Sequence, residues 1–269
     1  MVTLILPRLI AARGAGRRSM SMVERNVAAL RSAYWIVMVT GFLEPVLYLF
    51  SIGVGVGALV GDLPLPDGRV VEYAAFVAPA MLESSAMTGA LSETTFNFYG
   101  KMKWMRLYEG IVATPVRPME IAVGELTWAM IRGSVYAAAF LAGMVAMGLT
   151  SAGLALVALP AAVLVGFAFG GVGMAVSTFM RSWQDFDLMT TVQFALFLFS
   201  GTFVPADSYP SVLRWLVEVT PLYRSVDLVR GITTASWSLT QVWDVVYLII
   251  LFGIGVTVAG RRMSKLLCK

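Results

Sequence analysis

The chain has 269 residues, of which 58% are hydrophobic and 13% charged, where an ordinary soluble domain carries roughly a quarter charged residues. With a mean hydropathy of +0.79, its apolar residues cannot all belong to one buried core. Most must face lipid, or other helices within lipid, so the chain reads as an integral membrane protein with no room for a large catalytic domain outside the bilayer.

Histidine is absent, which excludes an imidazole base, a His-ligated metal and a Ser-His-Asp triad. The one cysteine, Cys268, rules out an intrachain disulfide. The formal charge of +4 would suggest nucleic acid in a soluble protein. Here the placement of Lys and Arg along the chain is the better guide, and no nucleic-acid partner is expected.

Residues 1–33 form a basic head carrying Arg8, Arg13, Arg17, Arg18, Arg25 and Arg31. It has no early apolar run of the kind a cleavable signal needs, so it is expected to remain in the mature protein. Ser21 and Glu24 have capping-box spacing, and Val23, Val27, Leu30 and Tyr34 recur at helical intervals. The pattern predicts an amphipathic helix on the membrane surface, or else the first turns of the next span. Apolar runs long enough to cross a bilayer follow at 34–60, 73–97, 119–148, 154–179, 186–206 and 239–260, and a tail occupies 261–269. The predicted fold class is therefore an all-α integral membrane protein of six transmembrane helices, with 34–260 as its membrane domain.

The connections alternate in charge. With the N-terminus inside, the cytoplasmic side collects the head, Lys101, Lys103, Arg106, Arg117, Arg181 and the tail residues Arg261, Arg262, Lys265 and Lys269. The other side has only Arg69, Arg214, Arg224 and Arg230. The positive-inside rule then puts both termini in the cytoplasm.

Two connections are more than loops. Between spans two and three, residues 100–118 read GKMKWMRLYEGIVATPVRP, with Trp104, Leu107, Tyr108 and Ile111 expected on one helical face, ended by Thr114-Pro115. A solvated loop has little reason to show such a stripe, so a protein partner or the membrane surface is expected against it. Before span six, the 206–239 segment is punctuated by Pro205, Pro210 and Pro221. It predicts two short helices, one with Val212, Leu213, Leu216 and Val219 on a face, the other with Leu222, Val226 and Val229. They either dip into the outer leaflet and return or cap the bundle from outside.

Ionisable residues within the spans are Glu44, Glu83, Glu93, Glu125 and Arg132, each costly at mid-depth unless it faces the bundle interior, water or a partner. Glu125 and Arg132, seven apart, lie two turns apart on one face, where partners can be shared. A structural role is weighed against proton relay or substrate contact. Glycine pairs four apart, Gly53 with Gly57 and Gly166 with Gly170, the latter followed by Gly171 and Gly173, permit close helix approach inside the chain or at a subunit interface. Phe186, Phe194, Phe197 and Phe199 in the fifth span line an apolar path or contact lipid.

No P-loop occurs, nor any CxxC, HExxH or GxSxG, so ATP hydrolysis by a P-loop is excluded and enzymatic chemistry has no recognisable carrier. Passage of something across the membrane is the default task. The order of parts then resembles the type-2 ATP-binding-cassette (ABC) exporter permeases. Glu93-Thr94-Thr95, Lys101-Met102-Lys103, Tyr108-Glu109-Gly110-Ile111-Val112-Ala113-Thr114-Pro115 and Gly124-Glu125 are similar to the matching stretch of nodulation lipo-oligosaccharide exporter permeases. So are Ser200-Gly201 with Pro205, and Pro221-Leu222 with Ser225, Asp227, Leu228 and Arg230. The resemblance covers roughly residues 20–262.

It implies two permease copies, identical or related, above two ABC nucleotide-binding ATPase subunits in a bacterial inner membrane, with lipids around them. ATP and Mg²⁺ would bind on the ATPase and no cofactor or metal on this chain. Trp104, Leu107, Tyr108, Glu109 and Ile111 would form the coupling helix docked in the ATPase. The hairpin with Pro205, Pro221, Asp227 and Arg230 would form the external gate, and Phe194, Phe197, Glu44 and Glu83 a substrate path. Spans richer in Phe and Met than in Tyr and Trp favour an amphipathic cargo: a lipo-oligosaccharide, a glycolipid or a hydrophobic drug. The rivals are a proton-coupled secondary carrier on the in-span carboxylates, and an intramembrane lipid or glycosyl transferase using Glu44, Glu83 or Asp227.

Overall fold

A computed structural model describes residues 19–28, 43, 47, 50–64, 68–203 and 205–267. Glu44, Cys268 and most of the first predicted span lie outside them. Residues 19–28 form helix α1. The first span's end is helical over Ser51–Val56 and Gly57–Val60, and a small antiparallel hairpin follows, β1 (Asp62–Pro64) on β2 (Val70–Glu72), with Leu63 opposite Val71. This hairpin is the one departure from an all-α chain among the described residues. Seven longer helical elements come next: α2 (Tyr73–Ser92), α3 (Leu107–Val112), α4 (Pro118–Ala146), α5 (Ala152–Ser177), α6 (Gln184–Leu198), the pair α7 (Ser211–Val219) and α8 (Pro221–Thr233), and α9 (Thr240–Leu267). Among the described residues, α4, α5 and α9 are long and apolar enough to cross a membrane.

The helix ends follow from local chemistry. Pro118 opens α4 with its fixed φ, and Glu120 reaches back to accept from the Arg117 N–H at 2.9 Å. At the other end, Gly148 takes φ +75°. Its N–H bonds the Val145 carbonyl while Leu149 bonds Met144, a Schellman closure that only glycine adopts without strain. Ser151 then caps α5 by accepting from the Leu154 N–H. In the same way Thr220 caps α8 and Pro221 occupies its first turn. Helix α6 stops at Leu198, short of the predicted span end, because Gly201 takes φ +67° and the Ser200 hydroxyl donates to the Phe197 carbonyl.

Helix α5 is the centre, packed on α2, α4, α8 and α9. Its glycines explain how one helix approaches so many others. A methyl on Gly166 would meet the Met130 sulfur at 2.9 Å, and one on Gly170 would meet Leu126 Cδ1 at 2.6 Å. One on Gly255 of α9 would meet the Gly171 carbonyl oxygen at 2.7 Å. The small-residue seam therefore packs the chain against itself, the first of the two readings of these glycines.

Substituting Gly170 by Leu should force Leu126 off its rotamer and cost about 1–3 kcal/mol. In detergent its thermal midpoint should fall below that of Gly143→Ala, whose added methyl meets nothing within 4 Å. Equal midpoints would show that the seam is loose.

Candidate functional site

Because α6 stands away from this packed core, a cavity of about 650 Å³ opens between it and helices α2, α4 and α5. None of the residues of α6 is buried. Phe194 and Phe197 of α6 line the cavity, facing apolar side chains such as Met130 and Phe140. Across from them α2 contributes Ser84, Ser85, Thr88 and Ser92, one wall of the cavity rich in hydroxyls. Glu93 and Arg132 also line it and pair with each other, so two charges are present that cancel. The predicted path residues Phe194 and Phe197 are thus brought together on one cavity. Glu83 is not: it is fully buried away from the lining, and neither carboxylate oxygen has a hydrogen-bond partner among the described residues.

Glu125 and Arg132 prove to have separate partners. The Glu125 carboxylate accepts from Arg25 at 2.6 Å, from Asn26 at 3.0 Å and from Lys101 at 2.6 Å. One buried acid thereby ties α1 and the end of the α2 extension to α4. Helix α1 turns Met22, Val23 and Asn26 inward to do this. A methyl on Gly124 would strike the Ser19 carbonyl at 2.8 Å, so glycine is what lets α1 lie so close. Val27, predicted on the same apolar face as Val23, is exposed instead, because the Arg25–Asn26 edge must reach the acid.

On the side where Lys101, Lys103 and Arg181 cluster, the helix begun by α2 continues through two π-helical turns, Glu93–Asn97 and Gly100–Trp104. In an α-helix Tyr99 and Trp104 would point about 140° apart. The π turn, closed by the bond from the Met105 N–H to the Gly100 carbonyl at 3.0 Å, brings them onto one face. There Trp104 stacks on Trp183 with centroids 4.8 Å apart, and Phe96, Tyr99 and Phe186 complete a five-ring cluster. Each such pair contributes about 0.5–1.5 kcal/mol beyond area burial. The turn bearing Trp183 is held by Asp185, which accepts from the N–H groups of Arg181 at 2.6 Å and Ser182 at 3.1 Å. Those donors hold its carboxyl below the usual value.

The stripe predicted on residues 104–111 is corrected in two respects. Arg106 sits in the left-handed region at φ +49°, so the helix breaks there and Trp104 does not share a face with α3. Tyr108 is 0% exposed and packs on Phe98 with centroids 5.2 Å apart, so it has no surface to offer a partner. Burial pushes its phenol well above the ordinary value of 10, and the nearby Glu125 carboxylate pushes the same way. Leu107, Glu109, Gly110 and Ile111 remain partly or fully exposed.

At the opposite end, the two predicted short helices are present as α7 and α8. Leu222, Val226 and Val229 of α8 are buried as expected. The face predicted on α7 is open, with Val212 81% exposed and Trp215 and Leu216 exposed beside it. Arg230 clamps α8 to the bundle: it lies 3.7 Å over the Phe76 ring and donates to the carbonyls of Phe76 at 3.1 Å and Gly201 at 2.9 Å. Asp227 lies within electrostatic reach of Tyr223, whose phenol burial and that carboxylate push up to about 12. Pro205 precedes the turn Ala206–Ser208, and Pro221 starts α8.

Residues 19–234 match the model of the family described as ABC-2 type transporter. The chain belongs to the ABC-2 type transporter family. It is also 31% identical to Nodulation protein J of Rhizobium leguminosarum bv. trifolii over 247 residues, 90% of this chain and 92% of that protein. The same protein of R. leguminosarum bv. viciae is 31% identical over 257 residues, 93% and 96% of the two chains. That of Sinorhizobium fredii (strain NBRC 101917 / NGR234) is 32% identical over 208 residues, 77% and 78%. The ABC-2 transporter chain is accordingly a multi-pass membrane subunit for transport and not an enzyme, and family membership implies association with an ABC ATPase subunit.

Three features of this transporter subunit escaped the sequence reading. Trp183 was taken as part of a short turn, although its ring beside Arg181 was a signal of interfacial packing. Lys101 was counted only as a cytoplasmic charge, not as a partner of Glu125. Asp244, on α9, was overlooked. It is fully buried, with Oδ1 accepting from Arg224 at 3.2 Å, and this joins α8 to α9.

Replacing Glu125 by Ala should leave Arg25 and Lys101 facing a low-dielectric gap and cost about 2 kcal/mol. That figure lies below the 3–5 kcal/mol of a fully buried pair because both cations are partly exposed. Thermal unfolding of the purified chain measures it, and an unchanged midpoint would remove Glu125 as the tie between α1 and α4.

Proposed function

We propose that this chain is the membrane-spanning permease of a bacterial ABC exporter, moving an amphipathic molecule such as a lipo-oligosaccharide, glycolipid or hydrophobic drug outward from the cytoplasm or inner leaflet. The observation that carries the reading is the cavity between α6 and the packed core. Its Phe and Met side chains suit an acyl or aromatic moiety, and its row of hydroxyls suits a sugar or other uncharged polar head. The self-paired Glu93 and Arg132 offer little net field to an ionic head.

In this reading six spans, counting 34–60 and the stretch containing α6, put both termini in the cytoplasm of an inner-membrane protein, in keeping with the distribution of Lys and Arg. Domain limits follow the sequence pattern, with a cytoplasmic head to 33 and a tail from 261. Two permease copies sit above two ATPase subunits, which bind ATP and Mg²⁺. Leu107, Glu109 and Ile111 of α3 dock in the ATPase. Nucleotide binding does work on the permease only insofar as the ATPase binds one permease conformation more tightly than the other. The hairpin α7–α8, pinned by Arg230, serves as external gate and dips into the outer leaflet with the open face of α7 toward lipid.

The test is ATP-dependent uptake of a fluorescent lipo-oligosaccharide into inside-out proteoliposomes holding the permease with its ABC ATPase. Pumping by the permease alone, or pumping abolished by a proton ionophore with ATP present, would reject the proposal. Leu107→Asp combined with Ile111→Asp should release the ATPase in a pull-down, whereas Tyr108→Phe should retain it; the reverse pattern would move the docking site. Phe194→Ala should shift preference among cargoes of different acyl length by roughly tenfold, in line with about 1–3 kcal/mol for a changed hydrophobic contact.

A further inference from the structure

We infer that the stacked pair Trp104–Trp183 is a mechanical joint, and that through it displacement of the segment at α3 is delivered to α6, the mobile wall of the cavity. Trp104 and Trp183 are thus positioning residues for transport, acting on the cavity without lining it. The inference rests on the export reading for its biological use, but the joint itself is a property of this chain.

Four observations meet here. Helix α6 is tied at its ends and free between them: Trp183 and Phe186 hold one end in the five-ring cluster, while at the other Phe197 packs on Phe203 at 5.4 Å and Ser200 and Thr202 are buried. No residue along α6 is buried, so little apolar contact opposes its movement against α2, α4 and α5. Its inward residues Thr190, Gln193, Phe194 and Phe197 form one wall of the cavity, and any shift of α6 therefore changes cavity width.

The remaining observation concerns the other half of the joint. Trp104 ends a π turn and is followed by Arg106 at φ +49° and then by α3. Side-chain volume at residue 100 is excluded, since a methyl on Gly100 would meet the Trp104 ring at 3.2 Å. The indole is therefore seated against its own helix and moves with it. A push on α3 passes through two residues to Trp104, across the ring stack to Trp183, and into the first turn of α6. The alternative route, through Tyr108 and Phe98 into α2, ends in the packed core, where displacement is resisted on every side.

The experiment uses the full chain with Cys268→Ser and spin labels on Thr88→Cys and Gln193→Cys, two lining positions on facing helices, with distances read by pulsed electron paramagnetic resonance in nanodiscs. In the chain alone, Trp183→Ala should broaden the distance distribution, and Trp183→Phe, which keeps a ring, should restore the native width. A distribution unchanged by Trp183→Ala overturns the joint. Broadening that Trp183→Phe does not correct also overturns it, because loss of folding rather than of the ring contact would then be the cause.

With the ABC ATPase bound, vanadate-trapped ATP should shift the native distance and leave the Trp183→Ala distance unshifted, although the ATPase still co-purifies. Cargo moved per ATP hydrolysed should fall roughly two- to thirtyfold, the span expected for a residue that transmits coupling. If the ATPase binds and nucleotide leaves the native distance unmoved, the transmission is overturned. If the chain captures no ATPase, the export reading fails instead, and the measurement on the chain alone still decides the joint.

Discussion

Close approach of helix backbones at α5 is the constraint from which the arrangement follows. Without a hydrophobic driving force between helices in lipid, association depends on contact distance, and glycine sets the shortest distance available. Gly166, Gly170, Gly171 and Gly173 of α5 meet Met130, Leu126, α9 and Leu91 at separations that leave no space for a side chain. Four helices thereby crowd one. Helix α6, with no glycine of its own and none facing it at this spacing, is left outside the packed set, and the space left between becomes the cavity.

The charged residues follow the same division. Within the packed part each acid is tied to a basic partner or enclosed: Glu125 joins α1, the α2 extension and α4, and Asp244 joins α8 to α9. Only Glu93 and Arg132 pair at the cavity surface. These contacts fix helix positions more than they add net stability, since desolvation offsets much of the Coulomb gain. Glu83 stands apart, enclosed and without a described partner.

Much of this was legible from composition and local pattern. The long apolar runs marked α4, α5 and α9 to within a few residues at their starts, because hydropathy and caps are local signals. Pro210 and Pro221 announced the two short helices, and the glycine spacing announced the seam. What escaped was contact between segments far apart in sequence. Nothing near Trp183 says that Trp104, 79 positions away, lies on it, and nothing near Tyr108 says that Phe98 and Glu125 enclose it. The helical stripe from Trp104 to Ile111 failed at Arg106, where a non-glycine residue takes a conformation that periodicity does not anticipate. The early end of α6 was hidden for a similar reason, since Gly201 could equally have continued an apolar run.

The brevity of α6 has a further consequence. Its 15 residues extend about 22 Å, whereas the hydrocarbon layer is about 30 Å thick. Around this one helix the bilayer must thin, or neighbouring polar turns must be drawn toward the acyl chains, at a fraction of a kcal/mol per ångström of mismatch. The transporter thereby becomes responsive to lipid chain length: short-chain lipids fit this flank as it stands, and long-chain lipids press on the wall least braced to resist them.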